Sequence, residues 1–150
     1  MRGVPVWAWL AWACTAAATN LTTLEIGVML PWSGWAVGNA IAAVVPMAIE
    51  SINQSPLMPS GYRLNWTTRD SKCDVGASLE ALFEFDRAGT LDAIIGPACS
   101  AACEAVAAWA AQSNTPVISY SCMSTTLSNR NAFPTFGRTV SVSCTRSLLL

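Results

Sequence analysis

The sequence predicts an α/β domain, doubly wound about a mostly parallel sheet. Three observations predict it. Short apolar runs of strand length alternate with segments whose apolar residues recur at helical spacing, in the order βαβαβαβ. The segments between successive runs are long enough to hold a helix, which makes neighbouring strands parallel and the crossovers right-handed. The composition, 53% apolar and 11% charged, suits a packed core rather than a disordered tail. At 150 residues the chain holds one domain at most.

Residues 1–18 are set aside as a signal peptide. Arg2 is a minimal basic start, residues 4–13 form an apolar core, and Ala16-Ala17-Ala18 suits a small-residue cleavage site. The alternative is a buried N-terminal helix. The apolar run is too short to span a membrane, and no later stretch is a transmembrane candidate. Cleavage after Ala18 removes Cys14 and leaves Cys73, Cys99, Cys103, Cys122 and Cys144. In an oxidising compartment disulfides are the default, and an odd count leaves one cysteine unpaired or paired between chains. Asn20-Leu-Thr and Asn65-Trp-Thr are candidate glycosylation sites in that setting.

Residues 24–31 read as the first strand, ending at Pro31. Trp32-Ser33-Gly34-Trp35 follows as a turn with two large aromatics, which either pack over the strand ends or rim a binding surface. Asn39 is positioned to cap a helix whose stripe is Ile41, Val44, Val45, Ala48, Ile49 and Ile52, with Pro46 predicting a kink or a late start. Residues 55–61 hold two prolines and a glycine and read as a loop. Residues 62–68 alternate as a second strand, in which Asn65 must face outward to carry a glycan. Asp74 caps a third segment, helical, with Ser78, Ala81, Leu82, Phe85 and Gly89 on one face and Leu79 and Phe83 as a shoulder.

Residues 91–122 are the stretch around which the chain is organised. Residues 91–95 suit a strand buried on both faces, stopped by Gly96-Pro97. Ser100 is the expected cap of the next helix, with Glu104 in its first turn. Ala102, Ala105, Val106, Trp109, Ala110 and Ser113 give that helix a stripe of mostly small residues suited to lying close on a sheet. Asn114-Thr115-Pro116 breaks it before a strand at 117–120. Residues 123–130 read as a loop with one helical turn, and residues 133–140 as one more short strand. In such sheets ligands bind beyond the carboxyl ends of the strands, which brings Ala98, Cys99, Ser100 and residues 119–121 forward as a candidate site.

Several classes are excluded. Net charge is −1 with no basic run, which argues against nucleic acid. The absence of histidine removes His-based triads and His metal sites. Ser100 sits where a nucleophile elbow would be, but the Gly-x-Ser-x-Gly context is missing. Cys99 and Cys103 fall on one helix face, yet a metal site needs two further ligands and the redox pair has a different spacing, Cys-x-x-Cys. No metal site is expected.

Four segments, in order, carry a resemblance: Arg69-Asp70-Ser71-Lys72-Cys73; Ile94-Ile95-Gly96-Pro97-Ala98-Cys99-Ser100-Ala101-Ala102-Cys103; Thr115-Pro116-Val117-Ile118-Ser119-Tyr120-Ser121-Cys122; and Leu127-Ser128-Asn129-Arg130 with Phe133-Pro134-Thr135-Phe136-Gly137-Arg138-Thr139. Together they resemble the extracellular ligand-binding region of receptor guanylate cyclases and natriuretic peptide receptors, most like the invertebrate members, over residues 24–140. The resemblance implies a type I periplasmic-binding-protein-like fold, of which residues 19–150 hold a partial first lobe. Residues 141–150 are set apart as a tail that departs from the family pattern.

The resemblance also implies a disulfide between Cys73 and Cys99, both placed at carboxyl ends of the sheet. Cys103 and Cys122 are a second candidate pair, one in the first turn of a helix and one just past the next strand; the alternative is free buried thiols. Natriuretic receptors hold chloride beside this bridge, which carries over to Ser71 and the backbone amides of Ala98 and Cys99, with an ordinary capped turn as the alternative. No other cofactor is implied. Two departures argue against a natriuretic peptide and against a free amino acid as the ligand. Ala101 stands where the vertebrate natriuretic receptors carry a hormone-contacting tyrosine. Ser121-Cys122-Met123 replaces the Ala-Ser-Thr continuation of amino-acid receptors.

The expectation is a non-enzymatic N-terminal fragment of a single-pass receptor ectodomain on the secretory route to the cell's outer face. It recognises an extracellular peptide or other signal and is homodimeric in the full receptor. The alternatives are a solute- or amino-acid-binding ectodomain of the same superfamily, or a truncated product without independent activity.

Overall fold

The computed structural model describes residues 21–33, 41–89 and 91–142. The signal peptide, Asn20, Asn39, Cys144 and most of the tail lie outside them. Five strands form one sheet: β1 (Thr22–Leu30), β2 (Tyr62–Asp70), β3 (Leu91–Ile95), β4 (Val117–Ser119) and β5 (Phe136–Arg138). Their order is β2-β1-β3-β4-β5, and every neighbouring pair is parallel. Among the described residues the connecting helices are α1 (Val44–Gln54), α2 (Val75–Arg87) and α3 (Ser100–Ser113). A single 3-10 turn, Thr126–Ser128, stands between β4 and β5.

The handedness rule explains the layering. The chain steps outward from β1 to β2, then reverses to β3 and continues to β4. Right-handed crossovers therefore put α1 on one face and α2 and α3 on the other. The core lies under α2 and α3, where Met29, Leu82, Phe85, Ile94, Val106, Val117 and Phe136 join one buried cluster. Each such side chain withdrawn from water contributes about 1.5–3 kcal/mol.

Helix α2 follows its expected stripe: Ser78, Ala81, Leu82 and Phe85 are buried. Asp74 Oδ1 accepts the Ala77 N–H at 2.8 Å, a side-chain N-cap. Gly89 ends the helix as expected, in its exit turn with φ +73. Phe83 points to solvent.

Three expectations are corrected. The α3 stripe is rotated toward Cys103 and Ala107, which are buried with Ala102, Val106 and Ala110, while Trp109 only flanks the core. Ser100 is not the cap. Cys99 holds that position without a side-chain bond, and no acid lies in the first turn. Glu104 instead accepts from the Ser124 hydroxyl at 2.6 Å, and Ser100 Oγ accepts the Ser124 N–H at 3.3 Å. The two residues fasten the loop after β4 to α3 rather than starting the helix.

The third correction concerns α1. Its described span runs from Val44, with Pro46 in its first turn; Ile41 and Ala42 are already helical, so the expected kink takes the form of a break at Ala43 and not a late start. Of the expected stripe only Ile49 is buried; Val44 is 58% and Ile52 42% exposed. Among the described residues the helix meets the sheet chiefly at β2, an edge strand. Among the described residues no helix covers the same face of β3 and β4, and Ile118 stands 48% exposed there.

Candidate ligand crevice at the carboxyl ends of the strands

The strand order reverses between β1 and β3, so the crevice beyond their carboxyl ends is the switch point of the sheet. The turn after β3 forms one wall. Gly96 takes φ +95, and its N–H bonds the Ile118 carbonyl at 2.9 Å. A Cβ there would stand 2.3 Å from the Met29 carbonyl oxygen, so only glycine lets β3 turn this close to β1. The Gly96–Pro97 peptide is cis.

Two bridges staple this wall. Cys73 is joined to Cys99, with Cα atoms 5.3 Å apart, and Cys103 to Cys122, at 6.5 Å. The first ties the end of β2 to the turn after β3. The second is fully buried and ties α3 to the end of β4. The Pro97 carbonyl lies 3.2 Å and 3.4 Å from the sulfurs of Cys103 and Cys122. Bridged sulfurs carry no proton, so these are packing contacts rather than hydrogen bonds.

Ser119 is the polar hub of the same corner. It is completely buried, donates to the Pro97 carbonyl at 2.8 Å, and accepts from the Cys122 and Ser121 amides at 3.0 Å and 3.3 Å. Tyr120 donates to the Met29 carbonyl at 3.4 Å. Burial pushes its phenol up to about 12, so it stays a donor at physiological pH.

The Cys73–Cys99 bridge ties the loop that follows Ser71 to the turn that holds Ala98 and Cys99. Ser71 follows β2, is completely buried, and its hydroxyl has no partner among the described residues. Its amide bonds Leu30 O at 2.9 Å, which holds it beside β1. Ala98 and Cys99 precede the first turn of α3, and no acceptor is found for either amide among the described residues. An unpaired hydroxyl and two free amides at a helix N-terminus fit a small anion. Lys72 and Cys73 both take left-handed backbone, φ 49 and 57, in the loop that brings Ser71 to this corner.

Asp70, at the end of β2, accepts the amides of Trp32 at 2.9 Å, Ser33 at 3.2 Å and Lys72 at 2.9 Å, and the Ser33 hydroxyl. Desolvation alone would raise its carboxyl. The bonds from Ser33, Lys72 and Trp32 outweigh it and hold the group below its ordinary value. Ser119 lies in the 119–121 stretch that the sequence brings forward, whereas Asp70 enters there only as a member of the Arg69–Cys73 motif. An aspartate at a strand end carries no distinguishing local pattern.

Asn65 is exposed on β2, and its side-chain amide donates to both Glu25 carboxylate oxygens at 2.8 Å and 3.1 Å. No group of three or more metal-ligating side chains occurs among the described residues, and no described helix is long and apolar enough to cross a membrane.

A parallel α/β layer with a crevice at its strand reversal defines the class: a doubly wound α/β protein. The chain belongs to the receptor family ligand binding region, whose profile matches residues 40–147. That match runs past Thr139, where the motif resemblance ends, and takes in Cys144.

The chain is 39% identical to the Mus musculus gamma-aminobutyric acid type B receptor subunit 1 over 115 residues, covering 76% of this chain and 12% of the relative. It is 33% identical to the Caenorhabditis elegans subunit 1, covering 89% of this chain and 15% of the relative. It is 32% identical to the Resact receptor of Arbacia punctulata, covering 85% of this chain and 13% of that protein. The chain thus spans under a sixth of the length of these relatives, and the match lies in the ligand-binding region and no catalytic domain.

Proposed function

We propose that this chain supplies part of the ligand-recognising ectodomain of a single-pass membrane receptor of the receptor guanylate cyclase type. In that reading it is routed through the secretory pathway to the outer face of the cell, and its crevice lies beyond the carboxyl ends of β1 and β3. The observation that carries the reading is the family match laid over a stapled switch point with an unpaired buried hydroxyl at Ser71. The ectodomains pair as homodimers, as the family resemblance implies. A signal acts by binding one arrangement of the pair more tightly than another. Catalysis in such a receptor belongs to sequence outside this stretch.

A second reading is favoured by the 39% and 33% identities to gamma-aminobutyric acid receptor subunits: a small amino acid as the ligand. Calorimetry on the chain secreted from eukaryotic cells separates the two. Heat on adding gamma-aminobutyric acid supports the second reading. Heat with resact and none with gamma-aminobutyric acid supports the first. Silence with both counts against a ligand site in this stretch.

We also propose chloride at Ser71, Ala98 and Cys99, and N-glycans on Asn20 and Asn65. Chloride-35 line broadening that disappears in Ser71→Ala supports the anion site; broadening unchanged in that variant overturns it. Peptide mass spectrometry of the secreted chain reads the two sequons directly.

A further inference from the structure

Three loops frame the crevice: those after β1, β2 and β3. The loop after β2 is joined to the turn after β3 by the Cys73–Cys99 bridge. The loop after β1 has no such covalent tie to either. It carries Pro31, fully buried, and then Trp32, a large apolar side chain left 44% exposed at the switch point. An indole half out of water at the lip of a crevice is a contact surface for a ligand's apolar or cationic part.

What holds that lip is Asp70. The Trp32 amide is shared between Leu30 O at 3.1 Å and the Asp70 carboxylate at 2.9 Å. Ser33 gives the same carboxylate both its amide and its hydroxyl. On the other side the carboxylate takes the Lys72 amide, inside the stapled loop. One ionised side chain therefore joins the β1 lip to the covalently fixed corner, through charge-assisted bonds stronger than neutral ones.

We propose that Asp70 is the positioning residue of the crevice: it fixes Trp32 at the β1 lip by gripping the backbone of Trp32 and Ser33 from the end of β2, next to the stapled loop. The proposal rests on the reading of this crevice as the ligand site. Asp70 itself touches no ligand in this scheme. It acts through Trp32.

The test uses the full chain secreted with its disulfides formed and labelled uniformly with nitrogen-15. The Trp32 indole resonance is assigned by its loss in Trp32→Phe. In Asp70→Asn, nearly the same size but uncharged, the Trp32 resonance shifts, and amide exchange of Trp32 and Ser33 rises about tenfold or more, as expected for losing hydrogen bonds to a charged group. Exchange at Ile94 and Val117 stays as in the parent. Ser33→Ala, which removes one of these bonds and leaves the corner intact, moves the same resonance less far. It also serves if Asp70→Asn does not fold. A Trp32 resonance and Trp32–Ser33 exchange unchanged in the variants overturn the proposal. Both readouts are taken without ligand. Failure to bind any ligand therefore counts against the proposed function, and an unmoved Trp32 counts against Asp70.

Discussion

The Asn53 side-chain amide pairs with Leu64 exactly as a neighbouring strand would, its Oδ1 accepting the Leu64 N–H at 2.8 Å and its Nδ2 donating to the Leu64 carbonyl at 3.0 Å. Leu64 lies on β2, an edge of the sheet, and an open edge is a template for another chain. Farther along, the Thr68 carbonyl accepts from Arg69 at 2.8 Å. With one buried side chain of its own, α1 is fastened to the sheet largely through this amide pair.

Asn53→Ala therefore has two expected effects. Two backbone groups lose their partner, lowering stability by about 1–3 kcal/mol. The edge also opens to strand addition by a second copy. Urea unfolding measures the first. Size-exclusion with light scattering measures the second, as mass that grows with concentration in the variant more than in the parent.

Gly96→Ala is expected to be among the most damaging single-methyl changes in the chain. Its Cβ would lie 2.3 Å from the Met29 carbonyl oxygen, on a backbone at φ +95. Neither β3 nor β1 can retreat without breaking the ladder between them. A loss of about 3 kcal/mol or more is expected. Denaturant midpoint reports it, and an unchanged midpoint would show that the turn relaxes.

Replacing both Cys103 and Cys122 with alanine removes a cross-link closing 19 residues of sequence separation, worth about 3 kcal/mol by chain entropy. Replacing Cys122 alone leaves a buried thiol at Cys103 beside the Pro97 carbonyl. Differential scanning calorimetry of the two variants, with and without reductant, reads the bridge: reductant lowers the melting temperature of the parent more than that of the double variant.

Tyr120 predicts an alkaline limb in the stability profile. Its phenol is raised by burial from 10.0 to about 12, so the folded state favours the protonated form. That contribution is whole below pH 10 and is lost as pH rises through about 12. In a Tyr62→Phe background the ultraviolet phenolate band belongs to Tyr120 alone, since the chain has two tyrosines. It is expected to appear near pH 12. A band centred near 10 would show that the phenol is hydrated.

Much of this architecture was legible in the residues. The α2 stripe, the Asp74 cap and the stop at Gly96-Pro97 are local signals, because periodicity, capping and turn chemistry act within a few residues. The α1 stripe misled for a physical reason. Periodicity reports that a helix has an apolar face, and says nothing about how much sheet lies beneath it. Ser100 misled likewise: a serine before a helical run looks like a cap, but its hydroxyl is engaged by Ser124, a residue 24 positions on.

By itself the sequence determined the alternation of strands and helices, their parallel pairing, and the nomination of the turn at Ala98 and Cys99. These follow from side-chain period, connection length and backbone stereochemistry, all readable along the chain. Only the tertiary structure decided which groups converge on that turn. Asp70 meets Trp32 across 38 residues and Ser119 meets Pro97 across 22. A hydrogen bond depends on distance in space, and the folding of β1, β2 and β4 beside β3 is what makes those distances short.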